Sequence, residues 1–128
     1  MMRGIRGATT VEANDAEEIV ARSRELVLDM IEKNDIAAED VASVLFSVTE
    51  DLDAAFPAKS IRSISGWTYV PVMCMQEIPV PNSLSTCIRV MMTVNSDSSQ
   101  KDIHHVYHYG AKVLRPDLEQ VRSEKHES

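Results

Sequence analysis

The segment Cys87–Val94, CIRVMMTV, constrains the fold most. Ile88, Val90, Met92 and Val94 alternate onto one face and Arg89 and Met91 onto the other, the pattern of an interior strand. Such a strand needs hydrogen-bonding neighbours on both edges and a packed layer over its apolar face, so the chain must build a sheet with helices against it. The same run plants a guanidinium among apolar neighbours. Removing that charge from water costs several kcal/mol unless an anion or a carboxylate meets it.

The neighbours can be found in order. Residues 2–11 mix β-branched residues with Gly4 and Gly7 and predict a first strand, with Arg3 and Arg6 on opposite faces. Asn14 precedes DAEEIVARSRELVLDMIEKN, whose acidic first turn and apolar positions at Ile19, Val20, Val27, Met30 and Ile31 predict the longest helix, with a solvated acidic outer face. A short helical turn at 37–40 leads into VASVLFSV, a buried strand. Pro57 opens a second, short helix over AKSIRSIS that Gly66 closes, carrying Lys59 and Arg62 on one face. WTYVPVMCMQEIPVP is extended but interrupted by Pro71, Pro79 and Pro81, which confines it to an edge. IHHVYHYGAKVLRPD predicts one more strand with a bulge at Gly110, and the polar residues 118–128 a frayed tail. The expectation is an α/β (α+β) chain with a mixed sheet and helices on one side, one domain over 1–117 and a flexible tail over 118–128.

With 128 residues the chain has room for one domain, and a 44% apolar, 26% charged composition suits a folded core. Apolar runs fall far short of the ~18 residues that span a bilayer, and the N-terminus lacks the apolar segment of a secretory signal, so a soluble, cytoplasmic protein is expected. A net charge of −7 argues against nucleic-acid and anionic-membrane partners. Its distribution is uneven. Residues 12–53 hold thirteen acidic side chains against Arg22, Arg24 and Lys33, whereas residues 54–115 hold six basic against three acidic, so an anion site belongs in the latter stretch together with Arg3 and Arg6.

Cys74 and Cys87 are too few for a disulfide framework and have no zinc-ligand spacing. His104, His105 and His108 divide between two faces of a strand without a carboxylate or cysteine to complete a ligand set, which favours surface or interface histidines over a metal site. Nucleophile-elbow, phosphate-loop, dinucleotide and zinc-protease signatures are absent. Arg6 and Arg89 stand out instead. Periodicity alone favours an internal ion pair with Glu77; the alternative is a pocket in which arginines bind a carboxylate ligand bidentately and Glu77 holds a hydroxyl.

RGIRGATT at 3–10, FPAK at 56–59, GWTYVPVMCMQE at 66–77, CIRVMMTV at 87–94, HVY at 105–107 and VLRPDL at 113–118 resemble, in order and over nearly the whole chain, the AroH-class chorismate mutases. The resemblance implies a homotrimeric pseudo-α/β barrel with active sites at subunit interfaces. It also implies cofactor-free, metal-free conversion of chorismate to prephenate in phenylalanine and tyrosine synthesis. At matching positions, Arg6 and Tyr107 would bind a carboxylate and Arg89 would reach a carboxylate and the ether oxygen. Glu77 and the Cys74 backbone would meet the ring hydroxyl, and Phe56 and Met73 would form apolar walls. Leu114 would line the site, with Arg62 and Arg115 at its mouth. The sequence departs from the family pattern at His104, where arginine is common, and at His108 and Tyr109, where an apolar-acidic pair is common. Two other classes fit the same arginines: a non-catalytic trimeric carboxylate binder, against which the joint presence of Glu77 and Arg89 argues, and a structural trimer held by salt bridges from Arg6 and Arg89. The related trimers of the RidA-type imine hydrolases are a poor match, since their proline-rich motifs are missing.

Overall fold

A computed structural model describes residues 1–114. The helix α1 spans Ala16–Asn34 and the short α2 Lys59–Arg62, and the strands are β1 (Met2–Thr10), β2 (Val41–Val48), β3 (Val72–Gln76), β4 (Cys87–Asn95) and β5 (Val106–Tyr107). They form one mixed sheet in the order β3-β2-β4-β1-β5. β4 lies at its centre, antiparallel to both β1 and β2, while β3 and β5 close the edges in parallel with β2 and β1. The proline-broken segment is thus an edge strand, as its composition requires.

The alternation of β4 divides the sheet into two faces. Ile88, Val90, Met92 and Val94 are buried with Ile5, Val44 and Phe46 in a core completed by Ile19, Leu26, Val27 and Met30 of α1. The approach of helix to sheet is close: a Cβ on Gly7 would sit 2.5 Å from Met30 Sδ. The other face carries Arg89 and Met91, and pairing extends it through Leu45 and Ser47 of β2, Met73 and Met75 of β3, and Arg6 and Ala8 of β1. Neither α1 nor α2 covers that face, and Met73, Met75 and Met91 are exposed on it.

Asp15 caps α1, accepting the Glu18 amide at 2.9 Å, while Asn14 bonds Asp53 and Ala54 of the loop after β2. Two local expectations need correction. The helix expected to run to Gly66 has one turn, Lys59–Arg62. The segment read as a last strand with a Gly110 bulge keeps only Val106–Tyr107 extended, because Tyr109 turns left-handed (φ 50°) and residues 109–114 coil into a 3-10 turn. That turn is fastened to α1. His108 Nε2 lies 2.8 Å from Asp29 Oδ2, the Tyr109 hydroxyl donates to Glu25, and the Arg22 guanidinium stacks 3.7 Å from the Tyr109 ring centroid. The stripe Arg22, Glu25 and Asp29 on α1 is therefore not merely solvated. It is the track on which the chain turns after β5.

Candidate active site

The open face of the sheet holds a concavity of about 390 Å³ floored by β1, β2 and β4 and lined by Arg6, Glu77, Arg89, Tyr107 and Leu114 among others. Each of these comes from a separate segment, brought together by strand register. Arg6 lies opposite Met91, Ala8 opposite Arg89, and Tyr107 beside Ala8. Glu77 continues β3 by one residue, with its amide donating to Val48 O at 2.8 Å.

Arg6 Nη2 donates to the Tyr107 hydroxyl at 2.8 Å. With that oxygen's lone pair occupied, the phenolic proton can point at an anion beside the guanidinium. The Arg6 amide donates to His105 Nδ1 at 2.9 Å, which makes Nδ1 the unprotonated nitrogen of that ring and ties β1 to the residues leading into β5. The ion pair expected of Arg89 and Glu77 exists only as a loose contact, Nε to Oε1 at 3.8 Å, with both side chains accessible to solvent. Arg89 keeps most of its donors for a ligand. Ser47 holds Glu77 more closely, donating to Oε1 at 2.6 Å. Burial pushes the Cys87 thiol up, opposed by the adjacent Arg89, so Cys87 stays neutral and leaves the Arg89 charge uncompensated on that side. Arg3, grouped with Arg6 by the charge count, is turned elsewhere, its Nε bonding Ser98 O at 2.8 Å.

The other expected residues do not reach this concavity within one chain. Cys74 pairs in register with Phe46 and so points to the opposite face, and Met73 lies on the open face but out on the edge strand, 63% exposed. Phe56 and Cys74 line a second concavity with Lys59, and Arg62 sits on α2 beyond it. Burial raises the Cys74 thiol, with the Ala58 amide acting against it. Met75 lines both concavities. Arg115 lies outside the described residues. Ser47, Leu45, Met75 and Met91 line the first concavity without having been singled out in the sequence, although the alternation of VLFSV puts Leu45 and Ser47 on one face. His105 and His108 bond through their rings and His104 bonds Asn34 through its backbone, and no cluster of three or more potential metal ligands occurs among the described residues.

Fold and site together define a small single-sheet α/β protein whose open face gathers two arginines, a tyrosine and one carboxylate, a set suited to a carboxylate ligand bearing a hydroxyl. The family model "Chorismate mutase type I" matches residues 2–118, and the chain belongs to that family of isomerases. It is 55% identical over 118 residues to the chorismate mutase AroH of Bacillus subtilis, covering 92% of this chain and 93% of that one. It is 49% identical over 123 residues to the AroH of Thermus thermophilus, covering 95% and 100%. The solved chorismate mutase of Clostridium thermocellum superposes with a TM-score of 0.84 at 58% identity, covering 87% of this chain and 98% of that chain.

Proposed function

We propose that the chain rearranges chorismate to prephenate in the Arg6–Glu77–Arg89–Tyr107 concavity and that it works as a cytoplasmic homotrimer supplying phenylalanine and tyrosine synthesis. The reaction is unimolecular: a C–O bond breaks as a C–C bond forms, and no proton is transferred. The protein has to hold a compact reactive conformer and place opposite charge where charge develops. Arg6 and Tyr107 clamp a substrate carboxylate. Arg89 binds a carboxylate and faces the ether oxygen, where negative charge grows in the transition state, and a fixed guanidinium stabilises that more than the ground state. Glu77 accepts the ring hydroxyl and faces the partial positive charge of the ring. The observation that carries this reading is the 2.8 Å Arg6–Tyr107 bond sharing one concavity with an Arg89 that is only loosely paired.

The division of the expected residues supports the homotrimer. A neighbouring copy laid over the open face would cover Met73, Met75 and Met91 and bring its own Phe56, Arg62 and Cys74, with Lys59, to the concavity. The absence among the described residues of any helix long and apolar enough to cross a membrane fits the cytoplasmic assignment.

Incubation of purified protein with chorismate and a chelator should yield prephenate, and no conversion would refute the assignment. Mixing two impaired variants, Arg89→Ala and Arg62→Ala, tests the shared site, because random reassembly regenerates about a quarter of the interfaces with both halves intact. No recovered activity on mixing would place each site within one subunit.

A further inference from the structure

We propose that Ser47 is a positioning residue for Glu77, its hydroxyl holding Oε1 so that Oε2 is presented to the hydroxyl of the substrate ring. The inference rests on the role given to Glu77 above. Two candidates could hold that carboxylate, and the distances decide between them. Arg89 Nε stands 3.8 Å from Oε1, outside hydrogen-bond range, whereas Ser47 Oγ donates to the same oxygen at 2.6 Å, within the range of a charge-assisted O–H···O⁻ bond. Ser47 is placed for this by the sheet. It pairs with Arg89 on β4 and with Met75 on β3, so it stands on β2 between the strands that carry the guanidinium and the carboxylate, on the face where both side chains emerge. The Glu77 amide bonds Val48 O at 2.8 Å, which fixes the glutamate backbone against the residue next to Ser47.

The division of labour has a chemical consequence. A serine hydroxyl carries one proton, and giving it to Oε1 leaves Oε2 free to accept from the substrate. Were Arg89 the partner, the group needed at the ether oxygen would be spent on neutralising Glu77 before substrate arrived. With Ser47 as partner, the carboxylate is oriented in advance and Arg89 is kept for the substrate.

Ser47→Ala should lower kcat/KM for chorismate about tenfold with the denaturation midpoint unchanged, the loss expected for one hydrogen bond to a charged group. Ser47→Thr, which keeps the hydroxyl, should stay within about threefold of the parent. In a Glu77→Ala background the serine substitution should cost less than about twofold, because the group it positions is gone. An equal loss in both backgrounds, no loss in the parent, or a threonine variant as slow as the alanine one overturns the inference. If Glu77→Ala itself leaves the rate intact, the role of Glu77 fails and the positioning role with it. A costly Glu77→Ala beside a silent Ser47→Ala removes the positioning role alone.

Discussion

Replacing Arg89 by alanine separates a catalytic guanidinium from a structural one, because the structure gives the two roles very different magnitudes. The side chain is 44% exposed and its only ion-pair contact among the described residues is the 3.8 Å approach to Glu77. A solvent-accessible pair of this kind contributes ~0–1 kcal/mol to stability. In the proposed mechanism the same guanidinium faces the developing charge, and removing one preorganised donor to such a charge costs about 10²–10³-fold in kcat, or roughly 2.7–4 kcal/mol. The expected result is a loss of that size in chorismate turnover, followed by the disappearance of substrate with prephenate identified, in a protein whose denaturant midpoint and oligomeric state are nearly those of the parent. Arg89→Lys should fail to restore the rate, since an ammonium is a point charge and cannot meet a carboxylate and an ether oxygen with a planar fork. Turnover within tenfold of the parent for Arg89→Ala, or near-normal turnover for Arg89→Lys, refutes the reasoning. A collapse of the assembly accompanying the loss would return Arg89 to the structural reading.

Two further outcomes follow from the packing beneath the site. Gly7→Ala forces a Cβ to within 2.5 Å of the buried Met30 Sδ and 3.3 Å of Leu26 Cδ1, so it should destabilise by ~1–3 kcal/mol in a denaturant titration; an unchanged midpoint would mean that the α1–β1 contact is looser than described. At Asp29, partial burial acts to raise the carboxyl, but the hydrogen bond with His108 and the proximity of Lys33 outweigh it and the net shift is downward from 3.8. A depressed folded pKa means stability present above the unfolded value and lost as pH falls through the folded one, so the benefit should begin to fade below about pH 4. Asp29→Asn should remove that acid-sensitive part, and equal acid-unfolding profiles for the two proteins would refute the pairing.

Much of the scaffold was legible because its signals are local. The alternation of Cys87–Val94 identified the central strand, the acidic first turn and apolar spacing identified α1, and the prolines after Trp67 confined β3 to an edge. The conformation of the residues after Tyr107 is not legible, for the opposite reason. Their local pattern suits a strand, but Tyr109 is turned by contacts with Arg22 and Glu25, and the Gly110 amide is taken by the Thr10 hydroxyl at 2.9 Å. No window of sequence contains such partners. The site divides in the same way. Arg6 and Arg89 stood out by costing too much in apolar strands, whereas Phe56, Arg62, Met73 and Cys74 entered through family resemblance, which is silent on which chain supplies which half. Ser47 is not legible in the sequence, because a serine in a strand is unremarkable until register sets it beside Glu77.

The charge asymmetry acquires a spatial meaning once the faces of the sheet are assigned. A chain of net charge −7 that binds a dianion needs its negative charge kept away from the concavity. Five of the acidic side chains, against three basic ones, lie on α1, which packs on the face opposite Arg6 and Arg89. A helix with its side chains adds ~10 Å of thickness beyond the sheet. The Debye length at physiological salt is ~8 Å, so charges on the outer surface of α1 act weakly across that layer. Glu17 and Glu32 are exposed on the helix. Reversing either to lysine should therefore change kcat/KM by less than about twofold at physiological ionic strength. A several-fold rise would show instead that the acidic helix repels the incoming dianion, and that the sheet does not insulate the site from it.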